Sequence, residues 1–229
     1  MSTLRTIRAE LLDVIAPPHC LCCRSPLLRA PAGPALCTGC IAAIERSSGR
    51  LLRADALDGS FAPLAYEGVG RQLVTALKFA RLLDVAELGA ALIAERAPAG
   101  WLEATIVPVP ASPGRALRRG FDPAWEIAAA LTRLTGAAAA PVLRRRDRRR
   151  QRGGTRSRRL GRPPRIAAVA TAPAEVLLVD DVVTTGATVD ACARALRGAG
   201  QAGQRRGDLP GRVEPAPERP TRPGRSPRR

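Results

Sequence analysis

Aromatic side chains are scarce in this 229-residue chain: two tryptophans, one tyrosine and three phenylalanines make up 3% of it. A binding surface that stacks a row of bases needs several aromatic platforms, so that design is disfavoured. No run of about 18 apolar residues occurs, which argues against a membrane span. Arg5, Arg8, Glu10 and Asp13 fall where a signal peptide needs its apolar stretch, so a cytoplasmic location is expected, without membrane insertion. Histidine occurs once, as His19, and lysine once, as Lys78, in a chain with 37 basic and 20 acidic residues. A Gly-x-x-x-x-Gly-Lys-[Ser/Thr] phosphate loop and the spaced Asp-x-Asp of phosphatase-type enzymes are both missing.

What is present is a 45% apolar composition, enough for one ordinary core, and a net charge of +17. That charge is local. Residues 143–165 hold twelve arginines and one acid, Asp147, a local +11. Residues 201–229 hold eight arginines and three acids, a local +5. The rest of the chain is near neutral, so two segments make the protein basic.

Apolar periodicity sets the expected elements. Leu4, Ile7, Leu11, Leu12 and Ile15 form one helical stripe, ended by Pro17-Pro18. Ser60–Tyr66 alternates as a strand, and 69–80 and 84–96 read as helices, with Leu73, Leu77 and Ala80 on one face of the first. Ala104–Val109 is a strand leading into a loop over Val109–Phe121. Asp122 caps a helix with Pro123 at its first position, and Gly136 ends it. Residues 144–165 have no apolar period. Val176–Val179 is a continuous apolar strand of the kind found inside parallel sheets, and Gly186–Leu196 is the helix after it. Strands alternating with helices predict an α/β fold with a parallel sheet flanked by helices.

Six cysteines in a reducing compartment point to metal or free thiol before disulfide. Cys20-x-x-Cys23 and Cys37-x-x-Cys40, thirteen residues apart, suit a tetrahedral zinc ion, each tight turn presenting two thiolates. Four thiolates leave no open position, so the site reads as structural. Free thiols and a disulfide pair are the alternatives. Cys22 and His19 are spares, and Cys192 is expected to be buried.

The richest segment is Glu175–Thr188: a buried strand, two adjacent acids (Asp180, Asp181), a turn rich in hydroxyls, and a helix start. Ligands of open α/β sheets bind at the carboxyl ends of strands. Backbone N–H groups at a helix start and the hydroxyls of Thr184, Thr185 and Thr188 suit a phosphate dianion, and Gly186 permits close backbone approach. Two carboxylates before that turn can accept hydrogen bonds from vicinal hydroxyls. Together these fit a ribose 5-phosphate. The rival reading is an ordinary strand–loop–helix.

Val176–Thr188 resembles the phosphoribosyl-pyrophosphate (PRPP) motif of type I phosphoribosyltransferases. With Tyr66-Glu67-Gly68, Leu77-Lys78-Phe79, Pro108-Val-Pro110, Arg119-Gly120-Phe121, the paired cysteines and Gln151, the chain is similar over about residues 12–200 to the ComF family, linked to DNA uptake in competent bacteria. The resemblance implies a type I phosphoribosyltransferase-like sheet domain over 51–200, a zinc-ribbon-like module over 1–50, and binding or transfer of ribose 5-phosphate from PRPP with magnesium. Asp180 and Asp181 would then hold the ribose hydroxyls, and Thr184, Thr185, Gly186, Ala187 and Thr188 the 5-phosphate. Arg115, Arg118 and Arg119 are candidates for the departing pyrophosphate, each with a solvated role as its alternative. Lys78, the sole lysine, is close enough in pattern to reach the site, but it reads first as an exposed helix lysine.

Departures from the family pattern bear on catalysis. Thr184 stands where purine-salvage members carry an acid, and Asp122-Pro123 replaces Asn-Gln. The acceptor is not readable. The second reading is a non-catalytic competence factor that binds single-stranded DNA through the arginine-rich segment and keeps the phosphate pocket as a sensor or relic, with competence proteins as further partners. Residues 201–229 lack the apolar strand that family members carry and read as a disordered Arg/Pro/Gly-rich tail. A change of reading frame near 198–201 explains this composition. A native basic tail for nucleic acid is the rival.

Overall fold

The computed structural model describes residues 17–28, 34–51, 56–146 and 164–203. The expected helix over Leu4–Ile15, most of the arginine-rich stretch with Gln151, and the tail from residue 204 lie outside them.

The described elements run α1 (Thr38–Arg46), β1 (Arg50–Leu51), β2 (Phe61–Ala62), α2 (Gly68–Ala80), α3 (Asp84–Arg96), a 3-10 turn (Trp101–Glu103), β3 (Thr105–Pro108), α4 (Pro113–Arg119), α5 (Pro123–Thr135), β4 (Leu143–Arg145), β5 (Ile166–Ala168), β6 (Val176–Val179) and α6 (Ala187–Gly203). The fold is mixed α/β. β3 and β6 pair in parallel from Thr105↔Val176 to Pro108↔Val179. The Val109 amide donates to Val179 O at 2.8 Å and extends the pair. A parallel bridge between Ile106 and Ala139 adds a third lane beside β3.

Alternation along β3 divides the core into two. Ile106 joins a cluster with Leu77 of α2, Val85 and Leu88 of α3, and Ile127 and Leu131 of α5. Val107 and Val109 join Val189, Cys192 and Leu196 of α6 on the other side. Helices therefore cover both faces, which is why Ile106, Val107 and Pro108 of β3 are apolar and buried. The first cluster also contains Leu21, Cys22, Cys40 and Ile44, so the cysteine-bearing segment shares a core with the helices. Arg96, at the end of α3, strengthens that junction by donating to Ser47 O, Pro63 O and Ile44 O at 2.9 to 3.1 Å.

Several expectations are revised. The strand expected over Ser60–Tyr66 shrinks to Phe61–Ala62, because Pro63 has no amide to continue the ladder. In α2 the buried face is Gly70, Leu73, Ala76 and Leu77, while Ala80 is exposed where the helix ends at a left-handed Arg81. The loop expected over Val109–Phe121 contains the seven-residue helix α4, with Pro113 at its start and Gly120 ending it in a left-handed conformation. Arg144 and Arg145 lie in β4, which pairs antiparallel with β5 and brackets the rest of the arginine-rich stretch. α6 continues to Gly203. Gly198, Gly200 and Gly203 have the spacing of a dinucleotide-binding turn, but they lie within this helix.

The cap at Asp122 forms as expected. Its Oδ1 accepts from the Ala124 amide at 3.1 Å, and its Oδ2 accepts from Ala111 at 2.9 Å, tying the β3–α4 connection to the start of α5.

Candidate functional site

β6 delivers Asp180 and Asp181 at its carboxyl end, on the edge from which the β3–α4 connection also leaves. The two acids are not equivalent. The Asp181 amide donates to Asp180 Oδ1 at 2.8 Å, and Asp181 Oδ2 lies 2.6 Å from Lys78 Nζ. Side-chain exposures of 18% for Lys78 and 13% for Asp181 make this a largely desolvated ion pair. The exposed lysine expected from the sequence is therefore corrected: α2 ends beside β6, and its last turn places Lys78 against the acids. Burial first, and the neighbouring Asp181 charge second, push the Asp180 carboxyl up to about 7, against the opposing pull of the Asp181 amide and Lys78. The pair thus combines a carboxylate neutralised by an ammonium with a second acid that takes a proton near neutrality.

The turn after the acids frames a shallow open cleft lined by Asp180, Val182 to Thr185, Gly186 and Ala187 to Val189. Thr184 and Thr185 are exposed, and Thr185 Oγ1 accepts from the Ala187 amide at 3.5 Å. Gly186 is buried at φ +76°, a conformation that a Cβ would strain. The Asp190 amide reaches back to Gly186 O at 2.9 Å, which starts α6 immediately past the turn. The cleft therefore receives hydroxyls and the positive end of a seventeen-residue helix, a combination suited to an anion.

Of the three arginine candidates, Arg115 and Arg118 are exposed, and Arg115 Nε donates to Ser112 Oγ at 3.0 Å. Arg119 differs: it is half-buried, with its guanidinium carbon 5.5 Å from the centre of the Phe79 ring. Its Nε is buried and without a hydrogen-bond partner among the described residues. Lys78 and Phe79 are adjacent, so one turn of α2 meets both Asp181 and Arg119. Behind the acids, burial and then the Asp180 charge push the Cys192 thiol up to about 12, and Cys192 is fully buried as expected.

The second constellation is Cys20, Cys23, Cys37 and Cys40, whose sulfurs all lie within 4.8 Å of one another. Cys23 Sγ and Cys37 Sγ are 3.7 Å apart. Zinc–thiolate bonds of about 2.3 Å in a tetrahedron separate the sulfurs by about 3.8 Å, so this set fits one such ion. Two local turns assemble it. The Arg24 amide returns to Cys20 O at 3.0 Å, with Arg24 left-handed, and the Cys40 amide reaches Cys37 O at 3.0 Å as α1 begins. The Ser25 hydroxyl and amide hold the Cys23 thiol down at about 6. Burial pushes Cys40 up in the metal-free state. Cys22 is not a spare ligand: it is buried facing α2, and its Sγ donates to Gln72 Oε1 at 2.9 Å. His19 is exposed, in a bridge with Pro26.

Among the described residues no helix is long and apolar enough to cross a membrane. No family model matches the chain, and no solved structure matches it. A stretch of 102 residues is 35% identical to the protein named Competence protein ComFC from Streptococcus pneumoniae (strain ATCC BAA-255 / R6). That stretch covers 44% of this chain and 44% of the relative, so the similarity spans less than half of either.

Proposed function

We propose that this chain is a ComF-type, competence-related protein whose sheet domain binds PRPP, with ribose 5-phosphate as the moiety held or transferred. The observation that carries this is the convergence on one strand end: Asp180 and Asp181, the left-handed buried Gly186, and the start of α6. Asp180 and Asp181 would accept from the 2- and 3-hydroxyls. Thr184, Thr185, Gly186, Ala187 and Thr188 would surround the 5-phosphate. A departing pyrophosphate leaves an oxocarbenium-like sugar, so groups that stabilise negative charge on the leaving side matter most. Arg119 is the best-placed arginine for it, being the half-buried one. Magnesium, arriving with the diphosphate, would neutralise its charge, with few direct protein ligands. The four cysteines hold structural zinc in this reading, and the partial similarity to Competence protein ComFC supports a competence-related role, with DNA uptake as its setting.

Titration calorimetry with PRPP and magnesium tests the pocket. Saturable binding that is lost in Asp180→Asn/Asp181→Asn supports the reading; binding that survives the double change sinks it.

A second reading, a single-stranded-DNA factor with a non-catalytic pocket, is favoured by the β4–β5 ribbon. It launches the +11 segment from a paired base that carries Arg144, Arg145, Arg146 and Arg165. Phosphate contacts of that kind are steeply salt-dependent. A mobility series from low to high salt tests it, and no shift of single-stranded DNA at low salt would rule it out.

A further inference from the structure

We propose that the outer edge of β6 pairs antiparallel with the same edge of a second copy of this chain, making one sheet continuous across a twofold axis. Among the described residues β6 has β3 as its sole neighbour, and the extra lane at Ala139 lies on the far side of β3. The Thr105 amide donates to Glu175 O at 3.1 Å and the Val109 amide to Val179 O at 2.8 Å, so Glu175, Leu177 and Val179 address β3. Val176 and Leu178 alternate with them and turn their backbone N–H and C=O to the open side. Burial reports the same opening. Leu177 packs on one core cluster and Val176 and Leu178 on the other, so both faces of β6 are covered. All three still keep partial exposure, while Ile106 and Val107, which lie beside Leu177 and Leu178 in β3, have none. What remains open is the edge. An apolar edge strand without an internal charge or proline is a template for another strand.

The chain has no strand of its own left to lay there. Outside the described residues, 147–163 and 204–229 are rich in arginine, proline and glycine, 1–16 has helical spacing, and the two other segments are short connections. A second copy brings an identical open edge, and the register follows from the side chains. A twofold through Leu177 sets Val176 opposite the partner's Leu178 and Leu178 opposite the partner's Val176, each pair exchanging both backbone bonds. Glu175 then faces the partner's Val179, and Asp180 faces the partner's Ala174. Centring on Leu178 instead would set Glu175 against the partner's Asp181, and like charges directly opposite are destabilising. Each copy covers the other's edge, so the assembly closes at two. A ladder this short makes a weak, reversible dimer.

Sedimentation velocity of the full chain, from micromolar to near-millimolar, reads the association, and amide exchange at both ends of that range locates it. The expected result is a monomer–dimer equilibrium in which the Val176 and Leu178 amides gain protection only at high concentration, while those of Leu177 and Val179 are protected throughout. Val176→Pro removes an outward donor at the first residue of the strand, where proline is tolerated, and should weaken the dimer at least tenfold. A chain that stays monomeric, or a dimer that leaves the Val176 and Leu178 amides unprotected, overturns the proposal. Protection of those two amides at every concentration means that the edge is covered within the chain, and overturns it too. Should Val176→Pro fail to fold, the concentration dependence of exchange in the wild-type chain decides alone.

Discussion

Asp180→Asn is expected to stabilise the protein while removing a ligand-binding group. Asp180 sits at the strand end, half-buried beside a second acid, and partial burial with that neighbouring charge raises its carboxyl from 3.8 to about 7. The unfolded chain releases this proton near pH 4 and the folded chain near pH 7. Across that window the folded state holds more protons, so stability falls as pH rises, and the full cost is present by pH 8. At about 1.4 kcal/mol per pKa unit the ceiling is roughly 4 kcal/mol. Asparagine keeps an Oδ1 to accept from the Asp181 amide and carries no charge. Urea unfolding of wild type and Asp180→Asn at pH 4, 5, 6, 7 and 8 reads the difference directly. The variant should gain at least about 1 kcal/mol at pH 8 and close to nothing at pH 4. A variant less stable than wild type at pH 8, or a gain that does not change with pH, would refute the reasoning.

Gly186→Ala forces a side chain into a left-handed backbone at φ +76°. It should lower stability by about 1–2 kcal/mol and weaken phosphate binding further, read by melting and by titration. Asp122→Ala removes the acceptor of two amides and should cost about 1–2 kcal/mol in urea unfolding, with the β3–α4 connection losing amide-exchange protection. Leu131, with no exposed surface, should cost about 2–5 kcal/mol on truncation to alanine. Purified chain should carry one zinc ion, measured by metal analysis. Because the cysteine segment shares its core with α2, α3 and α5, chelation should lower the melting temperature of the whole transition rather than of a separate early step.

Much of the scaffold is legible because burial imposes a period. α2, α3 and α5 follow their apolar spacing, and Val176–Val179 is continuous because helices cover both sides of its sheet. Asp122-Pro123 was readable because cap and first-turn chemistry is local. The same local chemistry is present at α4, where Ser112-Pro113 opens the helix and Gly120 closes it at φ 76°. The β4–β5 ribbon left no such trace, since its strands are three residues long and four of its six members are arginine or alanine. Within the candidate site, the acids and the glycine turn are contiguous and could be found by eye. Lys78 reads first as exposed because it is a hundred residues away in sequence, and only the tertiary fold brings its side chain to Asp181. Its being the sole lysine among 37 basic residues was the available signal. The orientation of Cys22 was likewise a tertiary fact: next to Cys23 it looks like a ligand, yet its thiol points to Gln72.

The central claim, that the end of β6 is a PRPP pocket, is tested most directly by titrating the full chain with PRPP in magnesium and following pyrophosphate release in the same samples. The account predicts saturable, magnesium-dependent binding with one PRPP per chain, competed by ribose 5-phosphate and lost in Asp180→Asn/Asp181→Asn. Pyrophosphate appears only if a suitable acceptor is supplied. No binding by wild-type chain at millimolar PRPP, or binding that ignores both carboxylates, would contradict it.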